Sequence, residues 1–215
     1  MRIPEIRIQF SWLLYNTVSK SLHEAKAEPG QERLSGEYYE ERTSEYRKTW
    51  KLVNDKILNG MTDVLELEFR QDIIDVDLAP WMPNISSPLI IGFYKLTSDT
   101  FIDTLTHELA HNLLTDNNVL TLQGVKSGDV DLLSIWKDLF GDDHSFVTLV
   151  HIPVHAICKY VYLDILKEPY HLERDIGEMQ SYPDYKAAWE YVEANDYKEI
   201  ITKLKKSYKQ YESKK

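Results

Sequence analysis

Residues 106–114 read Thr-His-Glu-Leu-Ala-His-Asn-Leu-Leu and contain the pattern H-E-x-x-H. In a helix, His107 and His111 lie one turn apart on one face, so both imidazoles can reach a single metal ion at about 2.0–2.1 Å. Glu108 lies roughly 100° further round the axis, close enough to take a proton from a metal-bound water. The pattern indicates metal-assisted hydrolysis, in which zinc lowers the pKa of that water from about 15.7 towards about 7.

The residues before the motif predict the elements that would position it. Residues 88–94, Pro-Leu-Ile-Ile-Gly-Phe-Tyr, form a short apolar run that is typical of a strand. Residues 97–100 offer several N-cap candidates, and Thr100 with Asp103 fits a capping box. We therefore expect a strand, a turn and a capped helix. This context favours a metal site over a solvated helix face that carries two histidines by accident.

His107-Glu108-Leu109-Ala110-His111 resembles the active-site helix of the zincin metallopeptidases. The resemblance implies an α+β fold in which a small, mostly antiparallel sheet packs on the active-site helix and the C-terminal half is mainly helical. It also implies that residues 89–94 form an edge strand on which an extended substrate lies. It implies no particular family within the superfamily.

A catalytic zinc ion normally has three protein ligands and one open position, so a third ligand must come from a later segment. Zincins of the glutamate-ligand type take it from a later helix, and an acid four residues on orients the first histidine. By this resemblance His151 would be the ligand and His155 the orienting residue, or the reverse. His144 is a rival, because SprT-like zincins place a histidine at the start of such a helix. Glu173 and Glu178 are weaker candidates, because they lie in a charged, turn-rich stretch.

The composition is that of a folded globular protein, with 43% hydrophobic and 12% aromatic residues. Its 215 residues suit a single zincin-like domain, with the sheet, a backing helix and the motif in 1–115 and the third ligand in a helical part, 116–215. A net charge of −10 argues against binding to nucleic acid or to an anionic membrane. The only cysteine is Cys158, so we expect histidine and carboxylate to hold the zinc. No leader sequence and no long apolar run stand out, so we expect a soluble cytoplasmic protein.

Hydrophobic periodicity predicts the remaining elements. Strands are expected at 6–14, with an amphipathic helix as the alternative, and at 65–70 and 74–78. Loops are expected at 26–36, which contains Pro29-Gly30, and at the proline-rich stretch 80–88. Helices are expected at 37–58, 131–140, 144–166, 183–192 and 200–208. We expect the first to end at Asn59-Gly60. The third should either bend at 149–153 or give way to a new helix near Pro153.

These features predict a zinc-dependent metallopeptidase that hydrolyses a peptide or protein substrate. His107, His111 and one of His151 or His155 would bind Zn²⁺, and Glu108 would act as general base and acid. The alternative is a catalytically inactive zincin-like binding or regulatory module. The residue that stabilises the oxyanion cannot be chosen among the fourteen tyrosines of the chain.

Overall fold

The computed structural model describes residues 2–27, 32–93, 97–121 and 132–213. The helices are α1 (Trp12–Asn16), α2 (Val18–Lys26), α3 (Gly36–Leu65), α4 (Ser98–Thr115), α5 (Leu132–Phe140), α6 (Phe146–Tyr160), α7 (Pro169–Met179), α8 (Pro183–Ala194) and α9 (Tyr197–Glu212). The strands are β1 (Glu5–Phe10), β2 (Ile73–Ala79), β3 (Ile85–Ser86) and β4 (Leu89–Gly92). Our predictions for Pro29-Gly30, Tyr94 and Asp131 fall outside the described residues. The α+β class and the mainly helical C-terminal half are confirmed.

The chain divides into two compact units, and the division passes through α3 and α4, each of which is one continuous helix. The first unit contains Met1–Ile3, Lys56–Arg70 and Ala110–Lys215. The second unit contains Pro4–Asp55 and Gln71–Leu109. Helices α3 and α4 are therefore shared by the two units.

The second unit contains a four-stranded sheet in the order β1-β2-β4-β3. Strands β1 and β2 pair in parallel, as do β2 and β4, and only β3 and β4 pair antiparallel. Two parallel strands need a long crossover between them, and α1, α2 and α3 lie between β1 and β2. The prediction of a mostly antiparallel sheet is therefore wrong. Residues 89–94 are also not the predicted edge strand, because β4 lies between β2 and β3.

Helix α3 is longer than predicted. It passes through Asn59-Gly60 and ends at Leu65, and the strand expected at 65–70 is absent. Leu65, Leu67 and Phe69 are at most 2% exposed. Their alternation therefore reflects the burial of the end of α3 and of the irregular segment after it, and not a strand. A side chain at position 60 would be crowded, because a Cβ atom there would lie 2.7 Å from Cγ1 of Ile165. The predicted strand 6–14 likewise ends at Phe10, before α1 begins.

Helix α6 is the centre of the first unit and packs against α5, α8 and α9. It continues through Pro153 to Tyr160, so the alternative that a new helix begins near this proline is wrong. A π-helical segment, Val161–Leu166, follows it. By length and composition Phe146–Leu166 is able to cross a membrane, with a mean hydropathy of 1.4. In the structure 67% of its apolar window is buried inside the protein, as in a core helix.

Candidate metal centre

Helix α4 carries the H-E-x-x-H motif and begins with a capping box. The backbone N–H of Thr97 donates to Oγ1 of Thr100 at 2.8 Å, and the N–H of Thr100 donates to Oγ1 of Thr97 at 3.2 Å. This reciprocal pair satisfies two of the N–H groups that have no partner within the helix. It lies one turn before the predicted pair of Thr100 and Asp103. The helix therefore has a defined start that fixes the direction of the motif residues.

Three histidines form a group that can hold a metal ion. His107, His111 and His151 each offer one ring nitrogen, and these atoms all lie within 4.8 Å of one another. His107 and His151 are both 7% exposed, and His111 is half-buried. Helix α4 supplies the first two and helix α6 the third. The structure thus brings together two predicted ligands and one of the two candidates for the third.

A hydrogen bond within α6 fixes the tautomer of His151. Its Nδ1 lies 2.7 Å from the carbonyl oxygen of Val147. Because a carbonyl oxygen can only accept, Nδ1 must carry the hydrogen, and Nε2 keeps its lone pair. Histidines that bind metals commonly donate their second ring N–H to a carbonyl or carboxylate in this way.

Burial keeps the imidazoles of His111 and His151 in the neutral form that a metal ion requires. It lowers the pKa of His111 to about 3, and the nearby His151 contributes to this shift. Burial also lowers the pKa of His151, against the raising effects of the Val147 carbonyl and Asp184. Neutral imidazole is the ligand form and suits zinc, copper, iron and nickel. The donor set therefore fits a transition-metal ion without selecting zinc.

Glu108 follows the first of these histidines and is 6% exposed. Burial raises the pKa of its carboxyl group to about 7. A group with a pKa near the working pH can both accept and return a proton, which is the requirement for a general base that later acts as an acid.

His107 also belongs to a second group of potential ligands. Its ring, the thiol of Cys158 and the carboxylate of Asp175 offer atoms within 4.8 Å of one another. The hydroxyl of Tyr162 donates to Oδ2 of Asp175 at 3.1 Å. An imidazole has two ring nitrogens, and metal-binding histidines often use one for the metal and the other for a carboxylate. The two groups are therefore compatible with a single metal ion. The sequence analysis predicts histidine and carboxylate, and not cysteine, as the ligands of the zinc ion.

The buried acid of helix α7 is one that the sequence analysis missed. We named Glu173 and Glu178, and both are exposed, whereas Asp175 is only 5% exposed. His171, one turn before Asp175, is 1% exposed. The spacing of His171 and Asp175 is a helical i, i+4 pattern, which predicts that both lie on the same face of α7.

The other candidate histidines occupy different surroundings. His155 is fully buried, and its ring stacks on Trp189 with 4.3 Å between centroids and 11° between planes. His144 lies against Tyr191, with 5.5 Å between ring centroids. Within the part of the chain that the structure describes, neither belongs to the group formed by His107, His111 and His151.

Helix α8 is fastened to the start of α6. Ser145, the N-cap residue of α6, donates from Oγ to the carboxylate of Asp184 at 2.6 Å. Oγ1 of Thr148 donates to the carbonyl oxygen of Asp184 at 3.1 Å. The next residue, Tyr185, places its ring 4.1 Å from the ring of His151. This contact brings a tyrosine to His151, which the sequence alone did not predict.

Comparisons with known proteins give no match: no family model matches the chain, no curated protein matches it, and no solved structure matches it. The similarity to zincins therefore depends on the motif and on the side chains gathered around it. The function is argued below from these residues.

Proposed function

We propose that this protein is a zinc-dependent metallopeptidase of the zincin superfamily that hydrolyses peptide bonds. The observation that supports this most strongly is the group of His107, His111 and His151, whose ring nitrogens lie within 4.8 Å of one another. Three protein ligands with a fourth position left open are the arrangement of catalytic zinc sites, whereas structural sites fill all four positions. Glu108, buried beside His107, adds the acid–base group.

Each residue has a defined role in this proposal. His107, His111 and His151 hold the ion, and Asp175 orients His107. A bound zinc ion supplies a Lewis acid that polarises the substrate carbonyl and lowers the pKa of water. Glu108 accepts the proton of the attacking water at its carboxylate and returns it to the leaving amine. Its pKa near 7 suits both transfers.

The acid–base role is tested by Glu108→Gln, which preserves shape and hydrogen bonding but cannot accept the proton. Zinc content is measured by elemental analysis, and cleavage of casein and of synthetic peptides by mass spectrometry. We expect the variant to retain the zinc of the unmodified protein and to lose cleavage by about 10²-fold to 10⁴-fold. Glu173→Gln, on the exposed side of α7, serves as the matched control and should cleave normally.

Two results would contradict the proposal. Full activity in Glu108→Gln would remove this carboxylate from the mechanism. An unmodified protein that holds zinc and cleaves nothing would instead be the inactive binding module.

A further inference from the structure

Aromatic rings form a continuous row from solvent to the candidate ligand His151. The ring of Tyr182 is 58% exposed and lies 6.0 Å from the ring of Tyr185. Tyr185 is half-buried, and its ring lies 4.1 Å from that of His151 at 44°. The outer part of the row is therefore accessible, and its inner part contacts the site.

The next aromatic residue of α8 is buried. One turn after Tyr185, Trp189 is 1% exposed and stacks on His155, so it belongs to the core. The exposed surface of Tyr182 contributes little to that core. A ligand that reaches His151 along helix α8 would therefore contact the rings of Tyr182 and Tyr185.

The row is also held in place. Two hydrogen bonds connect Asp184, in the first turn of α8, to the first turn of α6. In the sequence, Asp184 lies between Tyr182 and Tyr185. Pro183 at the first turn of α8 limits the backbone further. Binding a ligand here costs little ordering of the backbone, because the first turn of α8 is fixed in advance.

We propose that Tyr182 and Tyr185 are specificity-determining residues that select peptides with an aromatic or large apolar side chain next to the bond to be cleaved. This inference rests on the proposed peptidase function. A substrate bound at the histidine group must place the side chains beside its reacting carbonyl close to His151, where the Tyr185 ring lies. Aromatic rings attract one another beyond simple burial of their surface, which favours phenylalanine over leucine and leucine over alanine.

The test measures binding rather than turnover, in the Glu108→Gln protein loaded with zinc. The probes are the blocked peptides acetyl-Ala-Ala-X-Ala-amide, with X as Phe, Leu or Ala, and the Kd is obtained by titration calorimetry. We expect the Phe peptide to bind about tenfold more tightly than the Ala peptide. Adding Tyr185→Ala should abolish this preference, whereas adding Tyr185→Phe should keep it. Tyr182→Ala should reduce it by about threefold.

Tyr38→Ala is the matched control, because Tyr38 is 45% exposed and lies 5.4 Å from its neighbour Tyr39 in the second unit. It should leave the preference unchanged. Equal binding of the three peptides, or the same loss from Tyr185→Phe as from Tyr185→Ala, would overturn the inference and leave the peptidase function standing. Failure to bind any peptide, together with failure of the unmodified protein to cleave any, would contradict the peptidase function itself and the inference with it.

Discussion

The imidazole rings of His111 and His151 lie 4.9 Å apart and nearly perpendicular, at 82°. The first is on α4 and the second on α6, and the hydrogen bond from His151 to Val147 leaves Nε2 with its lone pair. This relationship distinguishes His151 from His155. The ring of His155 lies 5.6 Å from that of His151 and is stacked on Trp189 instead.

The two histidines of α6 should therefore differ in their effect on metal affinity. We expect His151→Gln to weaken zinc binding by more than about 100-fold, because it removes a ligand, and His155→Gln to weaken it by less than about tenfold. Competition with a chromophoric chelator measures both values, and circular dichroism checks that both variants fold. An equal or larger loss in His155→Gln would mean that we have assigned the third ligand to the wrong histidine.

The burial of Glu108 predicts a pH-dependent stability of the metal-free protein. Burial raises the pKa of this carboxyl group from 4.5 to about 7, so its stabilising contribution is fully present below pH 4.5 and is lost as the pH rises through 7. Glutamine does not titrate. In chelator, Glu108→Gln should exceed the unmodified protein in free energy of unfolding by about 3 kcal/mol at pH 8 and by less than about 1 kcal/mol at pH 5.

Urea denaturation at the two pH values measures this difference. The unmodified protein and the variant share the half-buried His111, whose lowered pKa destabilises both as the pH falls from 6.5 towards 3. That effect cancels in the comparison. If the difference in free energy of unfolding between the two proteins were the same at pH 5 and pH 8, Glu108 would not be buried.

Two glycines within helices should respond in opposite ways to alanine. At Gly60 a Cβ atom would lie 2.7 Å from Cγ1 and 2.9 Å from Cδ1 of Ile165, so Gly60→Ala should destabilise the protein by about 1–3 kcal/mol through overpacking. At Gly177, on α7, a Cβ atom would meet nothing within 4 Å. Gly177→Ala should stabilise by up to about 1 kcal/mol, because alanine favours the helix.

Thermal and urea unfolding of both variants check these signs. A stabilising Gly60→Ala would show that α3 does not approach the π-helical segment as closely as described. Position 60 also explains an error in the sequence analysis. Asn59-Gly60 looks like a helix end, yet the glycine is there because a side chain approaches it, and the helix runs on to Leu65.

Patterns within short stretches of the sequence predicted the helices and strands whose formation depends on residues adjacent in the sequence. The motif helix follows from the spacing of His107 and His111 and from the polar residues before it, and strands β1 and β2 follow from alternation. Strand direction does not follow, because an alternating pattern is the same in parallel and antiparallel pairs. Leu65, Leu67 and Phe69 also alternate and are buried, yet Phe69 forms only an isolated bridge, to Asn117.

The site was predictable only where one helix defines it. His151 and His155 have the same helical spacing and similar neighbours, so only their surroundings in three dimensions separate them. Tyr185 is brought to His151 by the bonds between Asp184 and the start of α6, which no local pattern reveals. The burial of Asp175 likewise depends on how α7 packs, which the sequence does not reveal.

We propose that His107, His111 and His151 bind one zinc ion. X-ray absorption spectroscopy of the zinc-loaded protein tests it most directly, because sulfur ligands at about 2.3 Å are distinguishable from imidazole nitrogens at about 2.0–2.1 Å. We predict one zinc ion per chain with three imidazole ligands, no sulfur, and an unchanged spectrum in Cys158→Ser. A protein that retains no zinc, or a spectrum that shows a sulfur ligand, would contradict the account.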